Sequence, residues 1–354
     1  MEYRKLGRSG LEVSRVAYGD MLAEDNEENQ KRTNETINKC FELGINYFDT
    51  AEAYGGGQHE TLLGRALKQC GRKREDYVVS TKMFFGNKND PNGVGLSRKH
   101  IIEGVNASLK RLQLDYVDIV FCHRPDFDAP IEEICATFAQ LIKEGKTFYW
   151  ATSMWPPELI IDAMGVCDKY GYPAPIAEQC KYHMLARRYM EKDYTYLFDK
   201  FGYGTTTYSP VARGLLTRKF IDNPDPTGTC FASDNPTRVK YFHFMEWFSP
   251  EKYESTKKKW AQLEKIAEEL GAGSLSVLAM AWVLKNSDVS TMIAGMSKPQ
   301  YVEDAVKAVG ISKKITKEIE EQIDAILENR IERGLNAKTW KPVPPRRLEE
   351  YASK

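Results

Sequence analysis

The chain has 354 residues, with 50 basic and 50 acidic side chains and a sequence pI near 7.0. Zero net charge gives no electrostatic attraction for nucleic acid or an anionic membrane, and no run is apolar enough to span a bilayer. The first residues lack the apolar core of a signal peptide, and the seven cysteines form no C-x-x-C pair. We therefore expect a cytoplasmic protein with reduced thiols and no metal site.

The predicted elements begin with a short hairpin made by residues 3–6 and 11–13. Strand-like runs then alternate with helical segments along the rest of the chain. Most of these runs are short and continuously apolar, as expected for parallel strands that are buried on both faces. The predicted strands are residues 16–18, 45–49, 77–82, 116–123, 147–152, 176–179, 203–208 and 291–294.

Helical segments lie between the predicted strands. Residues 131–142 carry apolar side chains at helical spacing, and Ser97 is a predicted cap for a helix over residues 98–112. Two further helices, over residues 250–270 and 275–285, precede the last strand. This alternation predicts an α/β fold, a (β/α)8 TIM barrel with an N-terminal β-hairpin and extra C-terminal helices. Sites in such barrels lie at the carboxyl ends of the strands.

The chain is expected to form one barrel domain over residues 1–327, followed by an irregular tail. Residues 328–354 carry several prolines among charges, so this tail should lie on the surface. Residues 217–250 form the longest break between predicted elements and are rich in Asn, Pro, Asp, Thr and aromatic residues. They are predicted to form a loop over the barrel mouth.

Consecutive predicted strands end in polar residues that suit proton transfer. Asp49 ends one strand and Tyr54 follows in its loop, while Lys82 and His123 end the next two strands. If these strands are parallel neighbours, the side chains converge at one end of the barrel. An isolated tyrosine has a pKa near ~10, but a nearby ammonium stabilises a phenolate, and a carboxylate keeps that ammonium charged. Such a set suits protonation of a carbonyl group that receives a hydride.

Each of these residues alone has a simpler structural explanation. A tyrosine at a loop start, a lysine at a strand end, an aspartate at a helix cap and a histidine in a core are common without any catalytic role. Their joint placement on successive strands is therefore what favours a site.

The chain resembles the aldo-keto reductases, and within them the subgroup that contains the beta subunits of voltage-gated potassium channels. The segments that carry the resemblance are residues 48–54, 95–104, 108–118, 124–126, 178–179, 182–184 and 209–214. The resemblance implies an NADPH-dependent reductase of aldehydes or ketones, with Tyr54 as the general acid. Lys82 and Asp49 would tune this tyrosine, and His123 would orient the substrate.

The location of the cofactor, NADP(H), is implied by the resemblance, because no G-x-G-x-x-G follows the first strand. By position, Ser153 and Gln179 would hold the nicotinamide amide, and Tyr208 would stack on its ring. Lys219 would supply charge to the pyrophosphate. The other implied contacts are Gly19, Asp20, Asp49, Ser209, Pro210, Val211, Ala212, Gly214, Ser297, Lys298, Tyr301 and Asp304.

The chain departs from the family pattern where the cofactor's ends would lie. Gly-Asp-Met at residues 19–21 stands where the family often has Gly-Thr-Trp. Tyr301 can stack on adenine, whereas Ala305 cannot form a side-chain hydrogen bond with it. Lys298 and Arg238 are the candidates for pairing with a 2′-phosphate. The choice between NADPH and NADH therefore stays open.

A regulatory function is an alternative. The channel resemblance implies a protein that binds NADP(H) with little turnover, has a membrane-channel partner and assembles as a homotetramer. The animal channel subunits tend to carry asparagine where His123 stands, which favours turnover here.

A third alternative is a Schiff-base lyase that uses Lys82, although Asp49 and Tyr54 beside it fit hydride chemistry better. In the reductase interpretation, the substrate is a small carbonyl compound held between aromatic walls at the mouth. The candidate wall residues are Phe84, Phe85, Trp155, Tyr241 and Trp247.

Overall fold

The computed structural model describes residues 1–19, 24–86, 91–227, 231 and 239–333, with no side-chain description for residues 239–243. Several sequence expectations lie outside this part of the chain. They are the contacts of Asp20 and Arg238, the side chain of Tyr241 and most of the tail after Leu327.

The strands form a hairpin and a closed parallel barrel. The antiparallel hairpin consists of β1 (Tyr3–Lys5) and β2 (Glu12–Ser14). The barrel strands are β3 (Val16–Gly19), β4 (Tyr47–Asp49), β5 (Val78–Met83), β6 (Val117–Cys122), β7 (Thr147–Ser153), β8 (Ala177–Gln179), β9 (Gly204–Tyr208) and β10 (Thr291–Gly295). They pair in chain order, and β10 pairs with β3 to close the barrel. The predicted (β/α)8 barrel is confirmed, and each predicted strand is present close to its expected bounds.

Helices surround the barrel. They are α1 (Glu27–Glu42), α2 (Gln58–Gln69), α3 (Arg98–Leu112), α4 (Ile131–Lys143), α5 (Pro157–Tyr170), α6 (Lys219–Asp222), α7 (Val239–Phe248), α8 (Tyr253–Glu269), α9 (Leu275–Lys285), α10 (Pro299–Ser312) and α11 (Lys317–Leu327). Helix α3 begins as predicted, because the Ser97 hydroxyl accepts a hydrogen bond from the His100 amide at 3.2 Å. Within the described ranges, no helix combines the length and the apolar character needed to cross a membrane.

The prediction of a loop through residues 217–250 is partly wrong, because this segment contains α6 and α7. The Phe220 ring of α6 packs against the rings of Phe244 and Phe248, at centroid distances of 5.1 and 5.7 Å. Phe248 also meets Trp260 of α8 at 6.0 Å. Phe244 and Phe248 are four residues apart and share one face of α7. The aromatic residues thus supply a buried helix face, which composition alone does not indicate.

The hairpin covers the amino-terminal end of the barrel. Leu6 and Val13 are completely buried and pack in one cluster with Ala17 and Tyr47 of the barrel interior. Gly7 has φ of +62°, and a Cβ there would lie 2.4 Å from a backbone nitrogen of β9, so only glycine fits. This end of the interior is therefore closed by apolar packing. The polar side chains described next lie at the opposite end.

Candidate active site

The loop after β4 presents Tyr54 at the barrel mouth. A short 3-10 turn, Tyr54–Gly57, connects the loop to α2. Three successive glycines in it have φ of 58°, 64° and 92°, which is the left-handed region that other residues rarely adopt. The Tyr54 amide also donates to the Ala51 carbonyl at 3.1 Å. This tight turn leaves Tyr54 half-buried, directly above the end of β4.

Lys82, near the end of β5, forms a buried ion pair with Asp49 at the end of β4. Its Nζ donates to Asp49 Oδ2 at 2.5 Å and to the Thr50 carbonyl at 2.6 Å, and the lysine side chain has no exposed surface. The second carboxylate oxygen, Oδ1, accepts from Ser80 Oγ at 2.6 Å and from Gln179 Nε2 at 3.2 Å. Both oxygens of the buried carboxylate are thus satisfied, as a buried charge requires.

The ion pair keeps Lys82 charged. Burial opposes the ammonium form, but the adjacent Asp49 carboxylate and Tyr54 outweigh it and raise the pKa of Lys82 above its ordinary value. The ammonium nitrogen lies 4.8 Å from the centroid of the Tyr54 ring. A positive charge is therefore fixed beside the phenol.

His123 completes the cluster from the end of β6. Its ring meets the Tyr54 ring edge-on at 5.7 Å, and its amide donates to the Met83 carbonyl at 2.9 Å. Burial, followed by the charges of Lys82 and Arg124, holds the pKa of His123 well below its ordinary value. The imidazole is therefore neutral at pH 7, and its buried Nδ1 has no hydrogen-bond partner within the described residues. The four side chains expected from the sequence thus lie in one cluster.

Glu52 is a site residue that the sequence reasoning missed. Its side chain is buried, and Oε1 accepts from the amides of Phe84 and Gly86 at 2.8 and 2.9 Å. The same oxygen lies 3.0 Å from His100 Nε2 of α3. Glu52 therefore ties the loop that carries Tyr54 to the loop after β5. The only sequence signal was its place between Asp49 and Tyr54, because its partners are mostly backbone groups of another loop.

Four of the expected cofactor residues lie beside this cluster. Ser153 and Gln179 end β7 and β8 in register, and Ser153 Oγ donates to the Gln179 carbonyl at 3.0 Å. Gly19 ends β3 opposite Asp49, and a Cβ there would lie 2.5 Å from a side-chain carbon of Ile293. Tyr208 ends β9, and burial raises its pKa to about 12, partly opposed by the charge of Arg124.

Apart from Asp49 and the undescribed Asp20, the other expected cofactor residues lie on the β9 and β10 side. The turn after β9 contains Ser209, Pro210, Val211, Ala212 and Gly214, and among them Ser209 and Ala212 have φ of 59° and 50°. Such values are uncommon for residues with a Cβ and mark a constrained loop.

Beyond this turn, the expected contacts are mostly exposed. Lys219 begins α6, and Ser297 and Lys298 lie between β10 and α10. Tyr301 of α10 is 45% exposed, and Asp304 accepts from Gln300 at 3.2 Å. These residues lie apart from the buried cluster, and their side chains form few contacts with one another within the described residues.

The aromatic walls expected at the mouth are only partly present. Phe85 is 45% exposed, and its ring meets the His123 ring at a centroid distance of 4.9 Å. The Phe84 ring packs edge-on against the Phe85 ring at 5.1 Å. The expectation for Trp155 is wrong, because this side chain is completely buried. Trp247 packs on Trp260 at 5.5 Å as part of the aromatic cluster around α7.

The buried cluster provides a phenol beside a fixed ammonium and a neutral imidazole. It can donate a proton to an oxygen that lies next to Tyr54 and stabilise the phenolate that results. No group of three or more histidines, cysteines or carboxylates that could hold a metal occurs in the described part of the chain.

Comparisons with known proteins agree with this architecture. The model of the Aldo/keto reductase family matches residues 15–328. A putative voltage-gated potassium channel subunit beta of Schizosaccharomyces pombe is 45% identical over 327 residues, which cover 92% of this chain and 93% of that protein. Probable voltage-gated potassium channel beta subunits of rice and Arabidopsis thaliana are 38% and 37% identical over 333 residues, covering 94% of this chain and 98% of each relative.

Proposed function

The chain belongs to the aldo/keto reductase family, and from that premise we propose that it reduces aldehydes or ketones with NADPH, using Tyr54 as the general acid. Family membership implies an oxidoreductase that acts on small carbonyl compounds with a nicotinamide cofactor. The observation that carries the finer proposal is the fixed ammonium of Lys82, 4.8 Å from the Tyr54 ring and paired with Asp49 at 2.5 Å.

The residues on the β9 and β10 side have the chemistry that NADP(H) needs. Lys219 and Lys298 form no ion pair with any carboxylate in the described part of the chain, so both can bind phosphate groups. Ser153 and Gln179 would hold the carboxamide, and Tyr208 would cover one face of the nicotinamide ring. When bound, the cofactor would supply the hydride.

The protein's own groups would move the proton. Tyr54 would donate its hydroxyl proton to the substrate oxygen as negative charge develops there. Lys82 would stabilise the resulting phenolate, and Asp49 would keep the lysine charged and oriented. His123 stays neutral at pH 7, so one ring nitrogen would donate a hydrogen bond to the same oxygen and orient the carbonyl.

The test is NADPH oxidation with 4-nitrobenzaldehyde, followed at the nicotinamide absorbance band. Tyr54→Phe removes only the hydroxyl, and we expect turnover to fall by about 10²–10⁴-fold, the usual contribution of a general acid. Tyr170→Phe makes the same change at an exposed tyrosine of α5 and is the matched control. Equal turnover in the wild type and in Tyr54→Phe would contradict the proposal.

The relatives favour a second function. Because the 45% identical fission-yeast protein is named a channel beta subunit, a regulatory protein that binds NADP(H) with little turnover is the alternative. We propose for it a cytoplasmic homotetramer with a membrane-channel partner, as the resemblance implies. Co-purification with a membrane channel, together with tight NADPH binding and negligible oxidation, would favour this function over the reductase.

A further inference from the structure

A guanidinium group lies beside the proposed substrate position. Arg124 follows His123 directly, and its Cζ lies 5.5 Å from the centroid of the Phe85 ring. The Phe85 ring in turn meets the His123 ring edge-on at 4.9 Å. The arginine is half-buried, so the aromatic ring and the strand end hold its charge at the mouth rather than in bulk solvent.

The charge of Arg124 has no counter-ion within the described residues. Its Nη1 donates to the His123 carbonyl and approaches Ser153 Oγ at 3.5 Å, and no described carboxylate forms an ion pair with it. A guanidinium carries five N–H donors in a planar fork, so most of this donor capacity is unused. A carboxylate or phosphate is the chemical group that matches the fork.

Other charges around the mouth do not supply this counter-ion. Asp49 is occupied by Lys82. On the β9 side, burial and the charge of Arg213 lower the pKa of Lys181, while Glu246 acts on the same lysine in the opposite direction. Arg124 and Arg213 thus both act on Tyr208, and Arg213 also acts on Lys181, so three described cations lie in one region, and such a group attracts anions.

Arg124 and Arg213 face different parts of the proposed site. Both lower the pKa of Tyr208, which burial raises, so both lie near this ring. Arg213 belongs to the turn after β9, which carries several of the expected cofactor residues. Arg124 lies against His123 and Phe85 and reaches Ser153 Oγ at 3.5 Å, so its charge lies where the carbonyl substrate and the nicotinamide would meet.

We propose that Arg124 binds an anionic group of the substrate, so that the protein prefers carbonyl compounds that carry a carboxylate or phosphate. This inference rests on the proposed function, because it names the substrate class of the same site. The Phe85 ring lies 5.5 Å from the guanidinium carbon and limits where this group can move, and one or two of its N–H groups would donate to the anion.

The experiment compares two aldehydes that differ mainly in charge, 4-carboxybenzaldehyde and methyl 4-formylbenzoate. The measured quantity is kcat/KM for the acid divided by kcat/KM for the ester. Comparing this ratio between variants cancels the different reactivities of the two carbonyl groups. In Arg124→Met we expect the ratio to fall about tenfold, mainly through KM of the acid, as for loss of one charge-assisted hydrogen bond. Arg124→Lys keeps the charge without the fork and should give an intermediate ratio.

Two kinetic outcomes would overturn the inference. One is an unchanged ratio in Arg124→Met. The other is a ratio that falls in Arg213→Met but not in Arg124→Met, which would assign the anion to the cofactor side.

A binding measurement separates this inference from the proposed reaction. If the wild type reduces neither aldehyde, the proposed function fails, but calorimetry with 4-carboxybenzyl alcohol and benzyl alcohol on the NADP-loaded protein still tests the arginine. Tighter binding of the acid, lost in Arg124→Met, would support an anion site. Equal affinity of the wild type and of Arg124→Met for 4-carboxybenzyl alcohol would overturn the inference. Thermal unfolding of each variant, followed by circular dichroism, shows whether it has folded.

Discussion

The two sides of the barrel mouth are held together in different ways. On the β4, β5 and β6 side, charged groups bind one another, as Lys82 and Asp49 do at 2.5 Å. On the β9 and β10 side, Lys219, Lys298 and Tyr301 are exposed, and the two lysines have no ion pair in the described chain. The Lys82–Asp49 ion pair is therefore complete without a ligand, whereas Arg124 at the end of β6 and the two lysines of the second side carry charges that a ligand would join.

Burial explains the difference between the two sides. A charge removed from water must find its partners inside the protein, because the desolvation penalty is several kcal/mol per ion. An exposed lysine has water as its partner and needs no fixed contact. The Lys82–Asp49 ion pair is thus a property of the fold, whereas Lys219 and Lys298 would gain fixed partners only when a cofactor binds. Variants at Lys82, Glu52 and Lys298 test the two sides separately.

The largest effect is expected at Lys82. Replacing it in Lys82→Met leaves Asp49 buried without its cation, so the free energy of unfolding should fall by about 3–5 kcal/mol. The kcat/KM for 4-nitrobenzaldehyde should fall by about 10²–10⁴-fold. Chemical denaturation and NADPH oxidation measure the two effects.

The double variant Lys82→Met with Asp49→Leu separates these two effects. Removing both charges should restore part of the stability but none of the turnover. Recovery of turnover in the double variant would contradict the assigned role of the ammonium.

Glu52 is the next test on the same side. In Glu52→Gln the carboxylate that accepts from Phe84 and Gly86 becomes a neutral amide, and we expect a loss of about 2–3 kcal/mol of stability. Because the loop that carries Phe85 loosens, KM should rise more than kcat falls. Glu103→Gln on α3 is the control, since Glu103 is exposed and pairs with the equally exposed Lys99 of the same helix. A Glu52→Gln variant as stable as this control would show that the tie between the loops is unimportant.

Glu178 of β8 predicts a pH effect. It is completely buried, and burial raises its pKa to about 8, against the hydrogen bond from Thr152 Oγ1 at 2.6 Å. The folded pKa of Glu178 exceeds the unfolded value of ~4.3, so the protonated side chain contributes to the stability of the folded state. This contribution is full below pH ~4.3 and is lost as the pH rises through about 8.

The measurement compares unfolding at pH 6.5 and at pH 8. Because folded Glu178 is half-ionised at about pH 8, its titration should lower the free energy of unfolding by between about 1 and 2 kcal/mol over this range. His123 adds a smaller slope of opposite sign near pH 6.5, because its lowered pKa leaves it neutral in the folded state while an unfolded histidine is half-protonated at ~6.5. Glu178→Gln should remove the slope, whereas a change at the exposed Glu144 should keep it. A wild type without this slope would refute the assignment.

The smallest effect is expected on the cofactor side. Lys298→Met should leave the free energy of unfolding within about 0.5 kcal/mol of the wild type, because the residue is exposed. If this lysine binds the 2′-phosphate, the Kd for NADPH should rise about tenfold and the Kd for NADH should stay unchanged. Fluorescence titration with both cofactors measures this. An equal effect on both would assign Lys298 to another part of the cofactor.

The two sides of the mouth also differ in how far the sequence predicts them. The barrel strands and the clustering of Asp49, Lys82 and His123 follow from short apolar runs that end in polar residues. Parallel pairing in chain order then brings consecutive strand ends together. The cofactor residues carry no local motif, so only the family resemblance indicated them. They stay predictions.

Other features depend on contacts between distant segments and could not be predicted. Glu52 acts through backbone amides of the loop after β5, which no side-chain pattern reveals. Helix α7 depends on packing between Phe244 and Phe220, which lie far apart in the sequence. The side chain of Trp155, an expected wall of the mouth, is instead completely buried.

The hairpin below the barrel restricts how protons reach the site. Leu6 and Val13 close the amino-terminal end of the interior, and Tyr47 fills the space above them. In the proposed reaction, the phenolate of Tyr54 must regain a proton after each turnover, and the apolar packing of the described residues closes the end opposite the mouth to water. Departure of the alcohol and entry of the water that reprotonates Tyr54 would therefore compete for the same opening.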